Sequence, residues 1–143
     1  MLTASGKPPE IAFATVDGRI VARFEGDPTA FTAGAHGYLI AQTARLVPAY
    51  RLVRQADHVA SAKRSTFLAR YAVEWGGKTW TLKARGLAER KYALLDQKIE
   101  IGTIFPASFF NPYREIVIDL PGDIATEVQV FMTWIVMNSW SDG

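Results

Sequence analysis

The chain contains no cysteine. Disulfides, thiolate metal sites and cysteine nucleophiles are therefore excluded together, and the fold must stand on packing alone. A cysteine-free chain suits a reducing compartment, so a cytoplasmic location is expected. The only histidines are His36 and His58, and with no thiols beside them they are too few for a zinc or copper centre. No metal and no cofactor is expected. Long apolar runs are missing too: residues 128–137 are interrupted by Gln129 and Thr133 and fall short of the roughly 20 residues that cross a bilayer. No transmembrane helix is read. The catalytic signatures are equally absent. There is no Gly-x-Ser-x-Gly and no glycine-rich phosphate loop, and Ser61, Ser65 and Ser108 have no base at a telling spacing. Asp119, Asp123 and Glu127 cluster where a helix should begin, and capping accounts for them. Catalytic residues are not expected, although the sequence does not settle whether the protein is an enzyme.

The first nine residues are polar, include Gly6, Pro8 and Pro9, and lack the apolar segment of a signal peptide. They read as a flexible N-terminal arm. Residues 10–143 read as a single domain, with no repeat and no long linker to divide them.

What is present is a globular balance of 49% hydrophobic and 21% charged residues over 143 positions, with 8 Phe, 5 Tyr and 4 Trp, and 11 Gly and 7 Pro for turns. The charge is unevenly spread. Residues 45–98 hold 12 basic against 4 acidic side chains, or +8, while residues 1–44 sum to 3 minus 4 and residues 99–143 to 1 minus 6. A basic middle attracts phosphate-bearing partners; a solvated strand face explains the same charges without a partner.

The clearest local pattern is Tyr71-Ala72-Val73-Glu74-Trp75, then Gly76-Gly77, then Lys78-Thr79-Trp80-Thr81-Leu82, two alternating runs on a turn that needs positive φ. This hairpin should pair Trp75 with Lys78, Val73 with Trp80, Tyr71 with Leu82 and Arg70 with Lys83. Residues 11–24 repeat the pattern around Asp17-Gly18, with Ile11 facing Phe24, Phe13 facing Ala22 and Thr15 facing Ile20. A third turn at Asp96-Gln97 would set Leu94 opposite Ile99 and Tyr92 opposite Ile101, with Ala93 and Glu100 outward. Residues 36–43, 45–53, 58–62 and 114–119 are further strand candidates, giving about ten strands. After Leu120-Pro121-Gly122 the period changes. Asp123 can cap a helix over 123–140 that is apolar on every side, and such a helix is buried. The fold class expected is mainly β: an antiparallel barrel of about ten strands wrapped around a hydrophobic C-terminal helix. The polar pair Gln129 and Thr133 then needs partners inside.

The Gly-Gly hairpin, the run from Lys91-Tyr92 to the Gly102-Thr103-Ile104 strand, and residues 114–120 leading through Pro121 into the terminal helix together resemble the tubby C-terminal-like barrels, in particular their LURP-one-related and phospholipid-scramblase-like members. The resemblance covers most of residues 65–143. It implies a barrel of about twelve strands around a helix, one or two of which would be missing or merged here. It also implies a binding or scaffold role, since tubby domains bind phosphoinositides through basic side chains on the barrel. No Asp-rich calcium loop accompanies it, so lipid scrambling is not implied for this chain.

The candidate anion or lipid head-group site is the polar face of the central hairpin together with the link after it: Arg70, Lys83, Arg85, Arg90 and Lys91. Like charges facing each other across a strand pair repel, and an anion relieves the repulsion. The implied partner is anionic phospholipid at a membrane surface; nucleic acid is not expected. Phe105, Phe109, Phe110 and Tyr113, with Pro106 and Pro112, read as a plug for one barrel end. The alternative to the barrel is a helix-grip carrier, in which an open curved sheet holds the helix above an apolar ligand cavity.

Overall fold

The computed structural model describes residues 1–7, 9–65, 69–85, 90–108 and 110–141. Among them twelve antiparallel strands form a closed barrel: β1 Leu2–Lys7, β2 Glu10–Thr15, β3 Ile20–Glu25, β4 Ala30–Ala33, β5 His36–Ala44, β6 Ala49–Arg54, β7 Asp57–Arg64, β8 Arg70–Trp75, β9 Lys78–Arg85, β10 Lys91–Asp96, β11 Ile99–Pro106 and β12 Ile116–Asp119. A helix, α1 Thr126–Ser141, comes last. Each strand pairs with its sequence neighbours, and β1 pairs with β12 to close the ring. Closure removes every sheet edge.

The barrel is mainly β with one helix, as expected, but it has twelve strands where about ten were counted. One uncounted strand is the supposed flexible arm: β1 pairs with β2 from Leu2↔Thr15 to Lys7↔Glu10 and with β12 through Leu2↔Ile118 and Ala4↔Ile116. Its sequence looked like an arm because only Leu2 and Ala4 are buried, so its order rests on backbone ladders that composition does not display. The other is β4, four residues long, held by an interior row of rings. Phe13, Phe24, Phe31 and Tyr38, from β2 to β5, lie 6.2, 5.0 and 5.2 Å apart centroid to centroid.

The Gly-Gly hairpin has the expected register at every pair, with Gly76 and Gly77 both at positive φ (58° and 78°). The first hairpin keeps Ile11↔Phe24 and Phe13↔Ala22, but Ala14 rather than Thr15 faces Ile20. The Gly18 N–H donates to the Thr15 carbonyl (2.9 Å) and the Thr15 N–H to the Arg19 carbonyl (2.9 Å). With Gly18 at φ 88°, this is a three-residue connection with a bulge instead of a two-residue turn. The third hairpin turns at Gln97-Lys98, both at positive φ (51° and 74°), which sets Asp96 opposite Ile99, Leu94 opposite Gly102 and Tyr92 opposite Ile104. The turn falls one residue later than expected, and a bulge between Leu94 and Leu95 shifts the register by one residue more. Ala93 alternates with the inward Tyr92 and Leu94 and so stands on the outer face, where its small side chain is completely covered.

Helix α1 begins at Thr126, three residues after the expected start. The Ile124 N–H donates to the Pro121 carbonyl (3.1 Å), so 121–124 is a turn, and the first helical bond runs from the Gln129 N–H to the Ala125 carbonyl (3.1 Å). The helix fills the barrel. Val128, Val130, Phe131, Met132, Thr133, Ile135 and Val136 have no solvent exposure. Its polar pair bonds to the helix and the turn before it: the Gln129 side-chain amide donates to the Ile124 carbonyl (2.8 Å) and the Thr133 hydroxyl to the Gln129 carbonyl (2.9 Å). Hydrogen bonds among the described residues tie the helix to the wall. The Trp134 indole N–H donates to the Pro28 carbonyl (2.7 Å), the Asn138 amide to the Tyr50 hydroxyl (3.2 Å), and the Trp140 indole N–H to the Arg90 carbonyl (3.0 Å). The helix-grip architecture is overturned by this closure, because the helix side chains occupy the space that an open sheet would leave for a ligand.

The up-and-down meander gives the barrel two poles. The entry pole gathers the turns at 16–18, 34–35, 55–56, 76–77 and 97–98 and the start of α1; the exit pole gathers the other strand ends and the end of α1. Of the expected aromatic plug, Phe105 belongs to β11, Tyr113 packs edge-on against Trp140 at the exit pole (6.0 Å), and Phe110 is 94% exposed. Phe109 lies outside the described residues.

Candidate anion-binding face

Alternation along β8, β9 and β10 buries Tyr71, Val73, Trp80, Leu82, Tyr92 and Leu94. The intervening positions therefore stand on the outer face. Register opposes Arg70 to Lys83 and, two residues further along β9, Arg85 to Lys91. Four of the five candidate residues thus share one face on two successive same-face rungs. Arg90 flanks them, exposed, in the link before β10 at φ 55°. Its backbone is pinned from inside by the Trp140 indole.

Two of these cations already have partners. The Arg85 guanidinium donates to the Glu100 carboxylate at 3.1 Å, with 46% and 44% of the two side chains exposed. This pair joins β9 to β11 across β10, and the small side chain of Ala93, on the strand between, is fully covered. Solvent screening at that exposure limits the pair to less than about 1 kcal/mol. The Lys91 ammonium lies 5.5 Å over the Phe105 ring, a weak attraction to the ring's negative face. Arg70 differs. Its Nε is buried and has no hydrogen-bond partner, while its backbone is fixed by the Ser65 N–H donating to its carbonyl (2.8 Å). A buried donor without an acceptor is unfavourable, and an acceptor oxygen that reached this N–H would satisfy it.

The wider setting was not visible from the linear charge count. Lys63, Arg64, Arg70, Lys83, Arg85 and Lys91 sit at strand ends on the exit pole, and Lys7, Arg45, Arg90 and Arg114 join them from β1 and the links. Against these ten cations the described acidic residues of that pole are Glu10, Glu25, Asp27 and Glu115, a balance of +6. At the entry pole Arg19, Arg54, Lys78 and Lys98 face Asp17, Asp57, Glu74, Asp96, Glu100, Asp119, Asp123 and Glu127, or −4. The signal that could have shown this is alternation of charge sign between successive turns, read once the meander is assumed.

Two carboxylates are held below their ordinary range. The Asp17 carboxylate accepts from the Thr15 hydroxyl. Asp27, at the exit pole, accepts from the Thr29 N–H (2.8 Å) and hydroxyl (2.9 Å). His58 Nδ1 accepts from Arg51 Nε (3.2 Å). Among the described residues no three His, Cys, Asp or Glu side chains gather as a metal site, and no helix is long and apolar enough to cross a membrane. A cleft of about 730 Å3 opens at the entry pole between β3, β4 and the start of α1, with His36, Tyr38, Arg54 and Glu127 in its wall.

Comparison with protein-family models, with curated proteins and with solved structures finds no match for this chain. The functional reading therefore rests on the geometry of the barrel itself.

Proposed function

We propose that this protein is a non-enzymatic binding or scaffold module of tubby and LURP-one type that takes anionic phospholipid head groups on the outer face of β8–β10. The observation that carries this reading is Arg70. Its buried Nε lacks an acceptor, and Lys83 faces it directly across the strand pair. A phosphate oxygen answers both, because it accepts the unmatched N–H and neutralises the opposed charges. Arg90 and Lys91 extend the same basic surface, while Arg85 is available to an anion only in exchange for Glu100. The family part of the proposal is supported by the strand number and by the buried terminal helix, since the resemblance implies about twelve strands around such a helix. The absence of cysteine suits the cytoplasm, and we place the module there as part of the same reading.

The test is co-flotation with phosphatidylcholine vesicles, with and without phosphatidylserine. Wild-type protein should float only with the anionic vesicles, and Arg70→Gln combined with Lys83→Gln should weaken that binding about tenfold. Equal binding to both vesicles, or an unaffected double variant with wild-type melting, overturns the reading.

A further inference from the structure

The exit pole combines two features that the entry pole does not. Among the described residues its balance is +6 against −4, and its link tips carry two highly exposed large apolar side chains: Leu46, 102% exposed, between β5 and β6, and Phe110, 94% exposed, between β11 and β12. In the closed strand order these two links lie six strands apart, on opposite sides of the rim. Single exposed apolar residues are ordinary on protein surfaces. What is informative here is the company: Leu46 follows Arg45, Phe110 precedes Arg114, and Tyr113 and Trp140 stand half-buried at the same pole with the Lys7 ammonium 6.0 Å from the Tyr113 ring. Apolar tips, amphipathic rings and basic side chains at one level are what an anionic bilayer interface accommodates. The entry pole also exposes apolar side chains, Val16 and Ile99 among them, but its negative balance repels an anionic surface.

We infer that the exit pole is a membrane-docking surface, on which the barrel stands end-on with Leu46 and Phe110 seated at the acyl-chain boundary and the basic strand ends among anionic head groups. This rests on the anion reading above and adds the orientation and the inserted residues. Two apolar contacts on opposite sides of the rim, with cations between them, define a plane. That plane sets the axis of α1 steeply against the bilayer, with the acidic entry pole facing away. A surface that bound through the β8–β10 face alone would lay the barrel on its side and leave Leu46 in water.

Because the chain has no cysteine, single cysteines report position cleanly. Leu46→Cys, Phe110→Cys and, at the entry pole, Ile99→Cys are each labelled with an environment-sensitive fluorophore and mixed with phosphatidylcholine vesicles containing phosphatidylserine. Labels at 46 and 110 should shift to the blue and be quenched by acyl-chain quenchers, while the label at 99 keeps its aqueous spectrum. Leu46→Ala with Phe110→Ala should weaken vesicle binding by about tenfold or more. Binding with all three labels remaining aqueous overturns the docking pose and leaves the anion reading standing. Failure of the wild-type protein to bind anionic vesicles removes both. A concentration-dependent blue shift at 46 or 110 without vesicles assigns the pole to a second copy of the chain, and that also overturns the inference.

Discussion

At Gly102 the demand for glycine is steric. Its φ is not in the left-handed region, but an added Cβ would lie 2.6 Å from the Asp119 carbonyl oxygen and 2.9 Å from Leu120 Cδ2, where β11 passes the start of the link to α1. Gly102→Ala should cost about 1–3 kcal/mol as overpacking against backbone, measurable as a lowered denaturation midpoint at unchanged slope. Asp27 offers a test of the opposite kind, on the surface. Its carboxylate is held below the ordinary range by the Thr29 N–H and hydroxyl. A depressed value means that its contribution is present above the unfolded pKa and is lost as pH falls through the folded one. The Thr29 amide should therefore keep its exchange protection down to about pH 4 and lose it below, whereas Asp27→Ala should show low protection at every pH. Glu100→Gln should change stability by less than about 1 kcal/mol, since both partners are nearly half-exposed. By releasing Arg85 it should raise affinity for anionic vesicles a few-fold; unchanged affinity would place Arg85 outside the binding surface.

Among the elements, the Gly-Gly hairpin was fully legible because its information is local: a two-residue turn fixes which side chains face each other. The other two expected hairpins differ at their turns and, in the third, at every expected pair. The type of connection at Asp17-Gly18 depends on where one bulge falls, and at the third hairpin the turn falls at Gln97-Lys98 with a separate bulge between Leu94 and Leu95 adding to the shift. Two non-glycine residues at positive φ carry strain, so Gln97→Asn with Lys98→Gly should stabilise the protein by about 1 kcal/mol, read from chemical denaturation. The helix was legible as buried from its all-round apolarity, but its start was not, because the Pro121 carbonyl takes up the Ile124 N–H. Phe131→Ala should cost about 3–5 kcal/mol. Deleting residues 128–143 should abolish cooperative melting altogether; a sharp transition in that truncated chain would mean that the strands hold the barrel without their helix.

On the scale of the whole molecule the meander converts an unremarkable net charge of +2 into opposite poles. The candidate residues Arg70, Lys83 and Arg85 were legible as a face because alternation and one hairpin sufficed to place them, whereas Lys91, expected in the link, joins them only through the register of β10 on β9. Lys7, Arg45 and Arg114 were not, since they reach the same rim only once every strand between them is known to run up and down in turn. Binding to anionic vesicles should accordingly weaken as salt rises from 0.05 to 0.5 M, over which the screening length falls from more than about 10 Å to less than about 8 Å. Salt-independent binding would point to Leu46 and Phe110 acting without the cations. The sequence by itself determined the strand periodicity, the best hairpin and the burial of the terminal helix, because each is written in contacts a few residues apart or in the polarity of one element. Only the tertiary structure decided that the first residues are a strand, that Arg85 is matched by Glu100, that Arg70 is left with a buried unmatched N–H, and that the basic residues crowd one pole. The first of these is a consequence of closure, which joins β1 to β12, the two ends of the barrel's strand sequence; the others follow from packing between neighbouring strands and from the meander that returns alternate turns to one pole.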